Sequence, residues 1–215
     1  LDREFSEPIL QEFQADAGIS VLDKYDIEST KTVGLVSALI QEQNRPRCDV
    51  FWNNEILHTL RLQKLGMLEA YHSPAAETYP QSYRSVDGQW HGLAARARVL
   101  IVNTDLVPGD AMPTSVEDLA DPAWKGKVGI AKPLFGTTAT HAAVLFAIWG
   151  DERATDFFRK VHQNAEVMSG NKQVATAVSR GQLAFGITDT DDAIIEIDKG
   201  LPVAIIFPDQ AAGQL

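Results

Sequence analysis

Apolar positions in residues 4–17 recur at helical spacing, with Phe5, Ile9, Phe13 and Ala17 on one face and Gly18 where a helix would stop. Residues 19–25 then read as a strand, 30–43 as a helix with Val33, Val36 and Ile40 inward, and 48–52 as a second strand. A helix over 54–65 closes at Gly66, and a loop holding Pro74 and Pro80 leads to an unusually long strand at 93–103. The first half of that strand alternates and places Arg96 and Arg98 on one face. Its second half, Val99 to Val102, is a continuous apolar run of the kind that fills a strand buried on both sides. Beyond Asn103 the alternation continues, with a strand at 127–131, helices at 137–149, 152–163 and 172–180, a strand at 183–188, a helix at 191–199 and a strand at 202–207. This order predicts an α/β fold with parallel or mixed sheets covered by helices on both faces, uninterrupted by repeats or low-complexity tracts.

Composition narrows the classes. With 215 residues, 45% of them apolar, the chain can bury a core as one large domain or two small ones. No apolar run approaches the length of a membrane span, and the opening Leu1-Asp2-Arg3-Glu4 is unlike a secretion signal. A net charge of −10, with no clustered Lys or Arg, excludes nucleic acid as the expected partner. The single cysteine, Cys48, allows neither an internal disulfide nor a Cys-based zinc site and is expected to be a buried structural thiol. The chain opens on a helix at Ser6-Glu7-Pro8 and stops at Leu215 within a Gly- and Ala-rich stretch, so a first strand and a C-terminal segment are expected outside this sequence.

Three turns carry candidate chemistry. Phe135-Gly136-Thr137-Thr138 leads from a strand through a glycine into a helix, bringing backbone N–H groups and two hydroxyls to a helix N-terminus, which is an anion site by construction. It lacks the lysine of a nucleotide-binding P-loop, and the plainer role of Thr137 or Thr138 is to cap the helix. Thr188-Asp189-Thr190-Asp191-Asp192 brings three carboxylates to another helix start. One carboxylate suffices to complement the helix dipole, and a pair such as Asp189 and Asp191 offers hard oxygens to a metal ion or negative charge to an ammonium group. Trp52, Asn53, Asn54 and Glu55 follow the second strand, at the carboxyl edge where open α/β sheets place ligands; Asn53 is equally suited to cap the next helix. Arg96 and Arg98 can hold an anionic group bidentately or form structural ion pairs. Lys31 is either a cation for the ligand or a solvated helix residue, and Asn171 either a ligand contact or a helix cap.

The chain resembles the type II periplasmic solute-binding proteins of the ferric-iron and related ABC importers. The likeness rests on Tyr25-Asp26-Ile27-Glu28-Ser29-Thr30-Lys31-Thr32, Cys48-Asp49-Val50-Phe51-Trp52-Asn53-Asn54-Glu55, Arg96-Ala97-Arg98-Val99-Leu100-Ile101-Val102-Asn103, Pro133-Leu134-Phe135-Gly136-Thr137-Thr138, Ser169-Gly170-Asn171 and Gly186-Ile187-Thr188-Asp189-Thr190-Asp191-Asp192. It implies a two-lobed fold with mixed sheets, crossing hinge strands and ligand in the interlobe cleft. The lobes implied are 1–103, incomplete, and 104–202, with 203–215 returning to the first. It also implies an anion at the turn of Gly136, Thr137 and Thr138, a membrane permease as partner, and a periplasmic location, or an extracellular, tethered one in a Gram-positive cell. The ferric-binding members carry adjacent tyrosines where Thr190 and Asp191 stand here. The expected cargo is therefore a small anionic or bipolar solute, either ferric ion with a companion anion or an organic phosphate or phosphonate. No resident cofactor is expected.

The best enzyme alternative is a phosphatase of the haloacid-dehalogenase type, with Asp189 as nucleophile and Asp191 as acid. It lacks the Gly-Thr that should follow, and too little chain remains for the later motifs of that family. The histidines His58, His72, His91, His141 and His162 show no metal-ligand spacing, and no Gly-x-Ser-x-Gly occurs.

Overall fold

Val99, Leu100, Ile101 and Val102 are all fully buried, and their side chains feed two different cores. The computed structural model describes residues 3–25, 33–134 and 136–208. Strand β1 (Arg98–Asn103) sends Leu100 and Val102 into a cluster with Phe185, Ile187, Leu145, Phe157 and Val161, and sends Val99 and Ile101 into another with Ala175, Val178 and Ala193. Strand periodicity turns a continuous apolar run into two buried faces.

The chain divides into two compact units, Leu1–Leu93 and Ala94–Leu215. The second unit contains a five-stranded mixed sheet in the order β3-β2-β4-β1-β5. Its other strands are β2 (Val128–Ala131), β3 (Glu166–Met168), β4 (Phe185–Asp189) and β5 (Val203–Ile206). Strand β2 pairs in parallel with β3 and β4, whereas β1 runs antiparallel to both β4 and β5. Helices α4 (Gly136–Trp149) and α5 (Asp151–Asn164) cover one face, and α6 (Asn171–Ser179) and α7 (Thr190–Asp198) the other. Helix α5 shows why: Ala154, Phe157 and Val161 are buried at helical spacing, while Asp151 and Glu152 complement its N-terminal dipole. Every helix and strand expected in this unit is present, with ends displaced by a few residues. The long strand expected at 93–103 is shortened to β1, and the edge strand β3 was not anticipated, being three residues with Glu166 and Val167 exposed.

The first unit departs further from expectation. It holds α1 (Arg3–Ala17), α2 (Val33–Gln41) and α3 (Leu57–Lys64), with Val36 and Leu62 buried. The strands expected at 19–25 and 48–52 carry no regular structure and pair in no ladder among the described residues, with a bend at Asp49. A strand needs a paired neighbour, and local alternation does not supply one. Cys48, expected to be buried, is exposed: it lies in no strand among the described residues, and its thiol donates to the Val50 carbonyl at 3.3 Å. The face of α1 expected inward leaves Ile9 and Phe13 exposed. Lys31, Phe135, the side chain of Phe5 and nearly all of the Tyr25–Thr32 motif lie outside the described residues.

Candidate functional site

Strand β1 begins where β4 ends, and the register places Arg98 directly opposite Asp189. Three helices start at this edge: α4 at Gly136, α6 at Asn171 and α7 at Thr190. Gly136 enters α4 with φ of +55°, a left-handed conformation in which a Cβ is strained. The topology alone thus gathers three positive helix ends, two arginines and a carboxylate from sequence positions almost a hundred residues apart.

Side chains join these ends into one network. Arg98 Nη1 donates to Asp189 Oδ1 at 2.8 Å and to Asn171 Oδ1 at 3.0 Å. Thr137 Oγ1 donates to Asp189 Oδ2 at 2.6 Å, and Asn171 Nδ2 donates to the same oxygen and to Thr137 Oγ1, both at 3.0 Å. Thr138 Oγ1 donates to Asn171 Oδ1 at 3.0 Å. The Asn171 amide therefore spends its oxygen on two donors and its nitrogen on two acceptors, a full complement that fixes its orientation. Arg96 Nη1 lies 3.4 Å from Asp189 Oδ2 and 3.1 Å from Asp191 Oδ2. Thr188 Oγ1 donates to the Asn171 carbonyl at 3.1 Å, and Thr190 exchanges hydrogen bonds with Ala97 through its own N–H and hydroxyl.

Asp189 is 1% exposed. Burial pushes its pKa up, and the Arg98 charge, the Thr137 and Arg98 hydrogen bonds and the Arg96 charge together outweigh burial, so its pKa falls below the ordinary carboxylate value. A folded-state pKa below the unfolded one means that this stabilisation is present in full above the unfolded value of about 3.9 and lost as pH falls through the lower folded value. Asp189→Asn is expected to flatten the acid limb of the stability curve in that window, read as melting temperature against pH; an unchanged acid limb would show that Asp189 is not ionised in the fold.

Arg98 is 8% exposed, and its Nε and Nη2 have no hydrogen-bond partner among the described residues. A buried guanidinium with two idle donors is an uncompensated cost unless an acceptor arrives. Farther out, Asp191 is exposed and Asp192 half-buried in the first turn of α7, and one carboxylate oxygen from each of Asp189, Asp191 and Asp192 lies within 4.8 Å of the others. Asp189 brings little to a metal ion there, since both its oxygens already accept from arginine, threonine or amide donors.

The residues singled out in the second unit, Arg96, Gly136, Thr137, Thr138, Asn171, Thr188, Asp189, Thr190 and Asp191, meet at this edge. Thr137 and Thr138 do not spend their hydroxyls on capping α4, and both arginines are ion-paired to Asp189. Trp52, Asn53, Asn54 and Glu55 belong to the first unit and are half-buried. There Asn53 Oδ1 accepts from the Glu55 N–H, its amide donates to Thr59, and the Glu55 carboxylate accepts from the His58 N–H in the first turn of α3.

The fold is that of the type II periplasmic binding proteins. The chain belongs to the bacterial extracellular solute-binding protein family, whose model matches residues 58–213. The Fe(3+)-binding periplasmic protein of Serratia marcescens is 30% identical over 178 residues, covering 81% of this chain and 50% of that protein. The crystal structure of iron-bound HitA from Pseudomonas aeruginosa superposes with a TM-score of 0.84 at 24% identity, over 94% of this chain and 65% of that one. AfuA from Actinobacillus pleuropneumoniae, a periplasmic binding protein solved with fructose-6-phosphate, gives 0.77 at 21% identity, over 97% and 67%. The chain spans about half the length of the curated relatives it matches. The family is one of binding proteins, not enzymes, and the phosphatase alternative falls with it: Asp189, its nucleophile, is buried against Arg98.

Proposed function

We propose that this chain is the solute-capturing component of a bacterial ABC importer, working in the periplasm or outside the cell, and that its cargo carries an anionic group. That group is seated where α4, α6 and α7 begin, against Gly136, Thr137 and Arg96, with any positive centre of the solute turned toward Asp191. The observation that carries this reading is the convergence of three helix N-termini and two arginines on a single buried carboxylate, with Asp191 and Asp192 set farther out toward solvent. Organic phosphates and phosphonates fit it. The similarity to AfuA, solved with a sugar phosphate, points the same way.

A second reading is ferric ion with a companion anion. It is favoured by the grouping of Asp189, Asp191 and Asp192 and by the names of the relatives, and it is weakened by the full occupancy of Asp189. Titration calorimetry separates the two with 2-aminoethylphosphonate, phosphate alone, and ferric ion with phosphate. The aminoalkylphosphonate is expected to bind more tightly than phosphate. Arg96→Gln is expected to weaken it by about 1.5–3 kcal/mol, roughly tenfold to a hundredfold, as the loss of a charged hydrogen bond requires. Asp191→Asn should weaken the aminoalkylphosphonate while sparing phosphate, since it removes attraction for a cation and repulsion of an anion together. Tight binding of ferric ion with phosphate alone among the three would establish the second reading, and no heat from any of them would overturn both.

A further inference from the structure

The charge count inside the network bears on which anion it takes. Arg96 and Arg98 supply two positive charges, and Asp189, between them, supplies one negative charge that solvent does not reach. Asp189 already receives the Thr137 hydroxyl proton and an Asn171 amide proton, the donors a ligand oxygen arriving at the start of α4 would otherwise claim. It thus behaves as a resident anion at a helix N-terminus; since Asp191 also pairs with Arg96 from the solvent side at 3.1 Å, at most one unit of positive charge is left, beside the unpartnered Nε and Nη2 of the nine-tenths buried Arg98. The guanidinium belongs to this cluster, since its Nη1 is fixed to Asp189 and Asn171.

We propose that Asp189 sets the charge of the cargo's head group, so that the site takes a singly charged anion such as a sulfonate, a phosphodiester or a singly ionised phosphonate in preference to a doubly charged one. This rests on the anion reading above. Even with the exposed Asp191 left out of the count, a single negative charge already balances the two arginines together with Asp189. A second has no counter-charge inside the network and faces a buried carboxylate at close range, where like charges are poorly screened. Asp191 adds to the discrimination from outside, since it pairs with Arg96 while exposed to solvent. Asp189 acts here through the arginines and Thr137, as a positioning residue whose charge is felt by the solute.

Taurine and 2-aminoethylphosphonate test it, because they share the aminoethyl arm and differ in the head. At mildly alkaline pH the sulfonate keeps one charge, whereas a phosphonate, like a phosphate monoester with its second pKa near about 6, carries two. In calorimetry of the unaltered protein, taurine is expected to bind more tightly by roughly tenfold or more, the size of one poorly screened like-charge contact. Asp189→Asn keeps an oxygen for Arg98 and removes the charge, and it is expected to reverse the preference. A merely structural Asp189 would weaken both solutes together and leave their ratio unchanged. Equal affinities in the unaltered protein, a preference for the phosphonate, or an unchanged ratio in folded Asp189→Asn would each overturn the proposal while leaving the anion reading in place. The comparison in the unaltered protein decides even if that variant fails to fold. Absence of binding by either solute, and by phosphate, would overturn the anion reading and this proposal with it.

Discussion

Arg98→Ala is expected to lower the stability of the protein by about 3–5 kcal/mol, the range for stripping the partner from a buried ion pair. Asp189 has almost no solvent to fall back on, and the charge that does most to hold it ionised against burial is that of Arg98. Arg96 lies farther off at 3.4 Å and is itself shared with Asp191, so it replaces Arg98 poorly. The loss is read as a fall in melting temperature near neutral pH. The double variant Arg98→Met with Asp189→Leu should recover part of it, since apolar groups of similar size are often as stable as a buried pair, while Thr137 and Asn171 lose their acceptor. That double variant should also lose solute binding, which separates the pair's part in the site from its part in the fold. A cost below about 1 kcal/mol for Arg98→Ala, within the range of a solvent-exposed ion pair, would mean that the network of Thr137, Asn171 and Arg96 holds Asp189 without it.

Most of the second unit was legible in the sequence because its signals are local. The apolar run at Val99 to Val102, the amphipathic spacing of Ala154, Phe157 and Val161, and the Gly136-Thr137 helix start each specify an element without reference to distant residues. The first unit was less legible because a strand is a relation between two segments, and residues 19–25 and 48–52, apolar enough to read as strands, pair in no ladder among the described residues. The site shows the same division. Its second-unit residues could be named from their places at turns or, for Arg96, on a strand face, but their bonding could not be read. The turn at Thr137 and Thr138 reads as a helix cap or an anion site, and the two hydroxyls instead donate to Asp189 and Asn171. Asp189 looked like one of three free carboxylates and is the partner of Arg98, ninety-one residues away. The signal for that pair is the antiparallel register of β1 on β4, a long-range property that no local spacing records.

A quieter device beneath the site should prove equally sensitive. Gly129 of β2 and Gly186 of β4 are register partners, and α6 lies across them with Val174 fully buried. A Cβ on Gly186 would stand 2.5 Å from Val174 Cγ1 and 2.8 Å from the Gly129 carbonyl oxygen, so helix or strand has to move. A Cβ on Gly129 would meet Leu183 Cδ1 at 2.6 Å, the free end of a side chain that can turn away, and Val174 only at 3.5 Å. Gly186→Ala is therefore expected to cost about 1–3 kcal/mol, typical of overpacking, and Gly129→Ala distinctly less. The consequence reaches the site because Asn171 is the first residue of α6, and its amide joins Arg98, Thr137, Thr138 and Asp189. Lifting α6 by a few tenths of an ångström lengthens four hydrogen bonds together, so Gly186→Ala should also weaken solute binding while Gly129→Ala leaves it near its original value. Adding Val174→Ala to Gly186→Ala removes the side-chain clash but not the one with the Gly129 carbonyl, and is expected to restore only part of the stability. Melting temperatures of the three variants order these contributions. If Gly129→Ala proved as costly as Gly186→Ala, the contact of the strand backbones would not be what limits how closely α6 can lie.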